Sequence, residues 1–141
     1  KHQTFFEEEK EVELICSPAE DVDYSKYENY FDTIFTSPPY FDTEKYSDEP
    51  TQSYKKFPTS DEWVDGFLKK TIENCYYGLK KNGYMLINIA NTPKYKFIEK
   101  ETINISNEIG FVQEPTIDLI LSSVAGKGVK TEPIFVFKKE S

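Results

Sequence analysis

The stretch Thr36-Ser37-Pro38-Pro39-Tyr40 constrains this chain more than any other. It closes a run of strand-forming residues, Phe31 to Thr36. Two adjacent prolines remove two backbone donors and fix two φ angles. The residue before a proline is pushed out of the helical region, so Ser37 is extended or turning. A buried strand therefore ends in a rigid corner, with an aromatic ring immediately beyond it.

The rest of the chain sets this corner in a pattern. Residues 12–16, VELIC, read as a short buried strand. Residues 17–30 are polar and turn-rich, with room for a helical turn. Residues 37–58 show no apolar period and many turn formers, so they form a long loop of the kind that usually serves function. A helix follows. Thr59 and Glu62 fit a capping box, and Trp63, Phe67, Leu68, Ile72, Cys75 and Leu79 form an apolar stripe. Lys80 and Lys81 suit the negative end of its dipole, and Asn82-Gly83 is the expected stop.

Residues 84–90 read as a buried strand. Pro93 begins or precedes a second helix, with Phe97, Ile98, Ile105 and Ile109 on its apolar side and Gly110 as its stop. Residues 116–124 and 132–139 read as strands joined by a hairpin connection, AGKGVKT. The order is strand, strand, helix, strand, helix, strand, strand. Alternation of this kind predicts an α/β fold, a mostly parallel sheet with helices on its faces and an antiparallel hairpin at the C-terminus. In such sheets ligands bind beyond the carboxyl ends of the strands, where Ser37 stands.

Composition narrows the function. At 141 residues the chain is one domain with a real core. Its 16% aromatic content argues against disorder. No apolar run reaches the length of a membrane span, and the N-terminus carries no signal-peptide series. The expected setting is the cytoplasm, with Cys16 and Cys75 as two buried thiols; their spacing fits no metal site. The net charge of -8 is unlike a free-standing DNA-binding domain, so any grip on nucleic acid comes from a local patch or from elsewhere.

A strand ending in Ser-Pro-Pro-Tyr resembles the fourth motif of the amino-methyltransferases of DNA. That motif has Asp, Asn or Ser, then Pro-Pro, then an aromatic residue. The stretches at 27–47, 62–91 and 132–139 together are similar to the catalytic part of these enzymes. The resemblance implies a partial Rossmann-like class I methyltransferase fold over residues 12–141, after a ragged segment at 1–11. It implies S-adenosylmethionine (AdoMet) as cofactor and duplex DNA with a flipped target base as partner. The reaction implied is methylation of the exocyclic amine of cytosine or adenine, typically for restriction-modification or epigenetic marking. The serine in the first position leans toward cytosine N4.

The chemistry suits these residue types. An exocyclic amine is a poor nucleophile, because its lone pair is delocalised into the ring. Hydrogen-bond acceptors that favour a tetrahedral nitrogen, held close to the methyl carbon, overcome this. The resemblance assigns the acceptors to the Ser37 side chain and the Pro38 carbonyl, with Pro38 and Pro39 stiffening the corner. Tyr40 supplies a flat face for the flipped base. Phe41, Asp42 and Tyr46 are candidates to line the base pocket. Glu20 or Asp21, together with Ser37, are candidates to contact AdoMet, although SPAED stands where the family commonly has Gly-Asp. Asn88, at a strand end, either reaches the site or is a buried amide satisfied by the backbone; Trp63 reads as core, and His2 as inert.

The F-x-G-x-G loop of the family is not found. The single G-x-G, Gly126-Lys127-Gly128, lies between two strands and reads as a hairpin turn. The expectation is that the AdoMet-loop strands and the target-recognition region lie outside this chain, upstream, and that the fragment alone is inactive. Its open sheet edge would favour pairing with that region or with a second copy. Two other readings stay open: a methyltransferase of the same fold acting on RNA or protein, and a degenerate module that only binds a partner.

Overall fold

The structure, a computed structural model, describes residues 11–38, 59–93, 95–124 and 128–141. Four strands form one sheet: β1 (Phe31–Thr36), β2 (Leu79–Asn88), β3 (Val112–Val124) and β4 (Gly128–Lys138). Their order is β1-β2-β4-β3. β1 and β2 pair in parallel, while β4 runs antiparallel to both β2 and β3. Three strands therefore point one way, and only the last strand, inserted between β2 and β3, is reversed. Val124 pairs with Gly128, as a hairpin requires, and Gly128 to Thr131 belong to β4 rather than to the connection.

The loop expected at 37–58 lies almost entirely outside the described residues; the helix after it, α1, covers residues 60–78. It is α-helical over Ser60–Trp63, π-wound over Val64–Leu68 and α-helical again over Lys69–Gly78. The capping box is formed: the Glu62 amide donates to Thr59 Oγ1 at 3.1 Å, and the Thr59 amide donates to Glu62 Oε2 at 3.4 Å. The whole expected stripe, from Trp63 to Leu79, is buried. The second helix, α2 (Ile98–Ile109), ends at Gly110 with φ 128°. A Cβ at Gly110 would stand 2.9 Å from the Tyr76 hydroxyl oxygen.

Both helices pack on one face of the sheet. Met85, Ile87 and Ile89 of β2 and its extension, with Phe135 and Phe137 of β4, share a single core with the α1 stripe and with Ile98 and Ile105 of α2. Paired residues Met85 and Phe137, and Ile87 and Phe135, place these side chains on the same face. The opposite face, with Phe35, Tyr84 and Val136, is open to a large extent among the described residues.

Several sequence expectations are corrected. Residues 12–16 form no strand: they find no partner strand among the described residues, and Val12 and Leu14 are 77% and 91% exposed. The polar segment after them holds two 3-10 turns, Ala19–Asp21 and Ser25–Tyr27. The helix stops at Gly78, not at Asn82, because Leu79 pairs with Phe31 and is claimed by the sheet. Lys80 and Lys81 thus lie in β2, as does the Asn82-Gly83 pair. β2 ends at Asn88, so the strand expected at 84–90 is displaced toward the N-terminus. α2 starts at Ile98, five positions after Pro93, and Phe97 is 66% exposed rather than apolar packing. Cys16 is exposed; only Cys75 is buried, and both are free thiols.

Candidate functional site

The site grows from the parallel pairing of β1 and β2. Thr36 lies opposite Ile87, so the next residues, Ser37 and Asn88, are neighbours just past the last rung. Phe35 lies opposite Leu86, which puts Phe35, Ser37 and Asn88 on the face away from the helices. Ser37 Oγ donates to Asn88 Oδ1 at 3.3 Å. Asn88 Nδ2 donates to the Pro133 carbonyl of β4 at 3.1 Å. One hydrogen-bond chain therefore links the carboxyl ends of β1 and β2 to the middle of β4, from exposed Ser37 to Asn88, which is only 6% exposed. Asn88 is thus buried and satisfied by backbone, as one sequence reading expected, and its amide oxygen also meets the Ser37 hydroxyl.

The loop after β2 is held firmly. The Asn91 amide donates to Glu99 Oε2 at 2.9 Å, and the Glu99 amide donates to Asn91 Oδ1 at 3.0 Å. Thr92 and Tyr95 exchange backbone hydrogen bonds, and Thr92 Oγ1 also accepts from the Tyr95 amide. These contacts tie the strand end to the first turn of α2.

Other candidates fall elsewhere. Pro38 is buried directly after Ser37. Glu20 is buried, and Asp21 beside it is exposed, on the first 3-10 turn, which packs against α1. Trp63 is fully buried and stacks on Phe67 at 5.4 Å between ring centroids, a core role. Pro39, Tyr40, Phe41, Asp42, Tyr46 and His2 lie outside the described residues. Pro133 is the site residue that sequence reasoning missed. Its carbonyl becomes available only because β4 inserts beside β2, and no local pattern signals that.

Along the outer edge of β1 runs a groove of about 900 Å³, bounded on its other side by the extended segment at 11–17 and lined by Val12, Ile15, Tyr24, Tyr30 and Phe35 among others. It is of a size that takes a small-molecule cofactor. For AdoMet the fit is partial. The groove offers one wall, and Ser37 is not among the residues that line it. The chain's G-x-G, in contrast, falls between β3 and β4 in sequence and is not at a strand-to-helix turn.

A family model described as DNA methylase matches residues 31–141. No curated protein matches. Among solved structures, the chain resembles TTHA0409 of Thermus thermophilus, a candidate DNA modification methylase, with TM-score 0.64 at 16% identity, over 87% of this chain and 50% of that one. The same Thermus protein complexed with S-adenosylmethionine gives TM-score 0.61 at 15% identity, over 88% and 54%. A SAM-dependent methyltransferase of Methanosarcina mazei gives TM-score 0.51 at 12% identity, over 88% and 65%. At these identities the likeness concerns the fold, the Rossmann-like fold of AdoMet-dependent methyltransferases. The chain spans about half the length of the Thermus protein.

Proposed function

The chain belongs to the DNA methylase family, and from that premise we propose that it forms the base-binding part of an AdoMet-dependent enzyme that methylates an exocyclic amine in DNA. Cytosine N4 is favoured over adenine N6, and restriction-modification in the cytoplasm is the setting. The observation that carries this reading is the Ser37-Asn88-Pro133 hydrogen-bond chain at the carboxyl end of β1 and β2.

AdoMet, when bound, supplies an electrophilic methyl group. The residues of this chain do the rest. Ser37 Oγ, exposed at the strand end, accepts from an amino N–H of the base, and the Pro38 carbonyl accepts from the other. Two acceptors draw the nitrogen toward a tetrahedral shape and return its lone pair from the ring. Pro38 and Pro39 hold both acceptors in place before the base arrives. Tyr40 stacks on the flipped base, and Phe41, Asp42 and Tyr46 close its pocket. No strong base is needed, because the amino proton becomes acidic as positive charge builds on nitrogen and then leaves to water. Glu20 and Asp21 are the further candidates to contact AdoMet. The remaining strands of the AdoMet pocket and the target-recognition region would come from the rest of the same protein.

The test is transfer of labelled methyl from AdoMet to unmodified duplex DNA by the full-length polypeptide carrying this chain. Tyr40→Ala serves as control, and acid hydrolysis identifies the labelled base. Label on cytosine N4, much reduced in the control, is the expected result. Label on adenine N6 would keep the reading and correct the base. Label on RNA or protein but not on DNA would move the substrate, and no AdoMet binding would leave a partner-binding module.

A further inference from the structure

Resting on that reading, we infer that Asn88 is a positioning residue that sets the direction of the Ser37 hydroxyl and makes its oxygen an obligatory acceptor toward the base. Donor and acceptor chemistry alone dictates the polarity. The Pro133 carbonyl can only accept, so the amide group 3.1 Å from it must present its nitrogen to β4. The other end of the same amide, its carbonyl oxygen, then faces β1. That oxygen can only accept, and Ser37 Oγ is 3.3 Å from it. The single hydroxyl proton of Ser37 therefore points at Asn88, and both oxygen lone pairs turn outward.

This polarity matters for an amine substrate. A freely rotating hydroxyl can donate as well as accept. Donation toward the amino nitrogen or a ring acceptor would withdraw the electron density that methyl transfer needs. A hydroxyl whose proton is already committed can only accept from the amino N–H. The commitment holds because Asn88 is 6% exposed, so water competes poorly for its amide. It is also enforced across strands: the register Asn88 to Ile134 brings Pro133 within reach, and Thr36 to Ile87 brings Ser37 within reach. An amide holds this arrangement without carrying charge, so the orientation of Ser37 needs no ionised group.

A double-mutant cycle on kcat tests it, using the full-length polypeptide, duplex DNA and saturating AdoMet. Ser37→Ala and Asn88→Ala should each lower kcat by roughly 100-fold, the lower end of what the loss of one aimed hydrogen-bonding group costs in an active site. For Asn88→Ala, AdoMet affinity measured by calorimetry should stay within about twofold, as for a residue that acts through the Ser37 hydroxyl on the amine. If Asn88 acts through Ser37, the double variant is no slower than Ser37→Ala. Full additivity, or wild-type kcat in Asn88→Ala, overturns the inference while leaving the methyltransferase reading in place. A wild-type protein that transfers no methyl to DNA overturns both. Should Asn88→Ala fail to fold, Asn88→Leu has nearly the same shape and carries neither donor nor acceptor. It should lower kcat as far as Ser37→Ala does; wild-type kcat in it overturns the inference.

Discussion

Lys139 illustrates how a single side chain can depend on the whole fold. It is 6% exposed, and its Nζ donates to Tyr76 O at 2.7 Å, Leu79 O at 2.9 Å and Asn29 Oδ1 at 3.0 Å, while lying 4.7 Å from the Tyr76 ring centroid. It takes the role that sequence position suggested for Lys80 and Lys81, covering the last carbonyls of α1. Lys139→Met keeps the aliphatic stem but strips these partners, and should lower stability by about 2–3 kcal/mol in urea unfolding; an unchanged midpoint would mean the ammonium contributes nothing net. The two thiols make a second contrast. Burial pushes the Cys75 thiol up to about 12 from its ordinary 9, while Cys16 is exposed. One thiol per chain should react with a disulfide reagent in the native protein, and two in denaturant. Between these two pKa values the unfolded chain has shed the Cys75 proton and the folded chain has kept it. Stability is therefore present in full below pH 9 and declines as pH rises toward 12, at roughly 1.4 kcal/mol per unit at most. Cys75→Ala should flatten that alkaline decline.

At the scale of elements, starts were more legible than stops. The beginning of α1 was readable because a capping box is a local exchange between Thr59 and Glu62. Thr59→Ala should cost about 1 kcal/mol, seen as a lower thermal midpoint. The end of α1 was not readable. Asn82-Gly83 looks like a helix stop, but the sheet takes the chain four residues earlier. Between Phe31/Leu79 and Thr33/Tyr84 the two strands fall out of step, and the extra residues of β2 form a kink there. Asn82 adopts φ 68°, its amide donates to Lys139 O at 2.6 Å, and the Lys139 amide donates to Gly83 O at 2.9 Å. A Cβ on Gly83 would lie 2.9 Å from both Asp32 O and Lys80 O. Neither backbone oxygen can move aside cheaply, so Gly83→Ala should destabilise by about 2 kcal/mol or more, against almost no effect at an ordinary strand glycine on the surface.

At the scale of the whole molecule, the sheet is finished on one side only. The helices cover one face, whereas Phe35 is 60% exposed on the other and β1 has no outer partner among the described residues. An unpaired edge beside exposed apolar groups is a template for association. The 141-residue chain should therefore self-associate with rising concentration in sedimentation velocity. A strictly monomeric chain at high concentration would show that the segment at 11–17 shields the edge in solution. Val12 and Ile15, apolar yet exposed, line the groove along that edge.

The amino-acid sequence determined what depends on neighbours along the chain. It set the rigid corner after β1, the capping box and buried stripe of α1, the glycine end of α2, and the family to which the Ser37 motif belongs. These are local because dihedral limits, caps and helical periodicity act within a few residues. Tertiary structure alone decided which residues meet across strands. Gly83 pressed against Asp32 follows from the parallel pairing of β1 and β2, while Asn88 oriented by Pro133 and Lys139 closing a helix some sixty residues away follow from β4 entering the sheet beside β2. That placement is a matter of long-range pairing and burial, and no short stretch of sequence carries it.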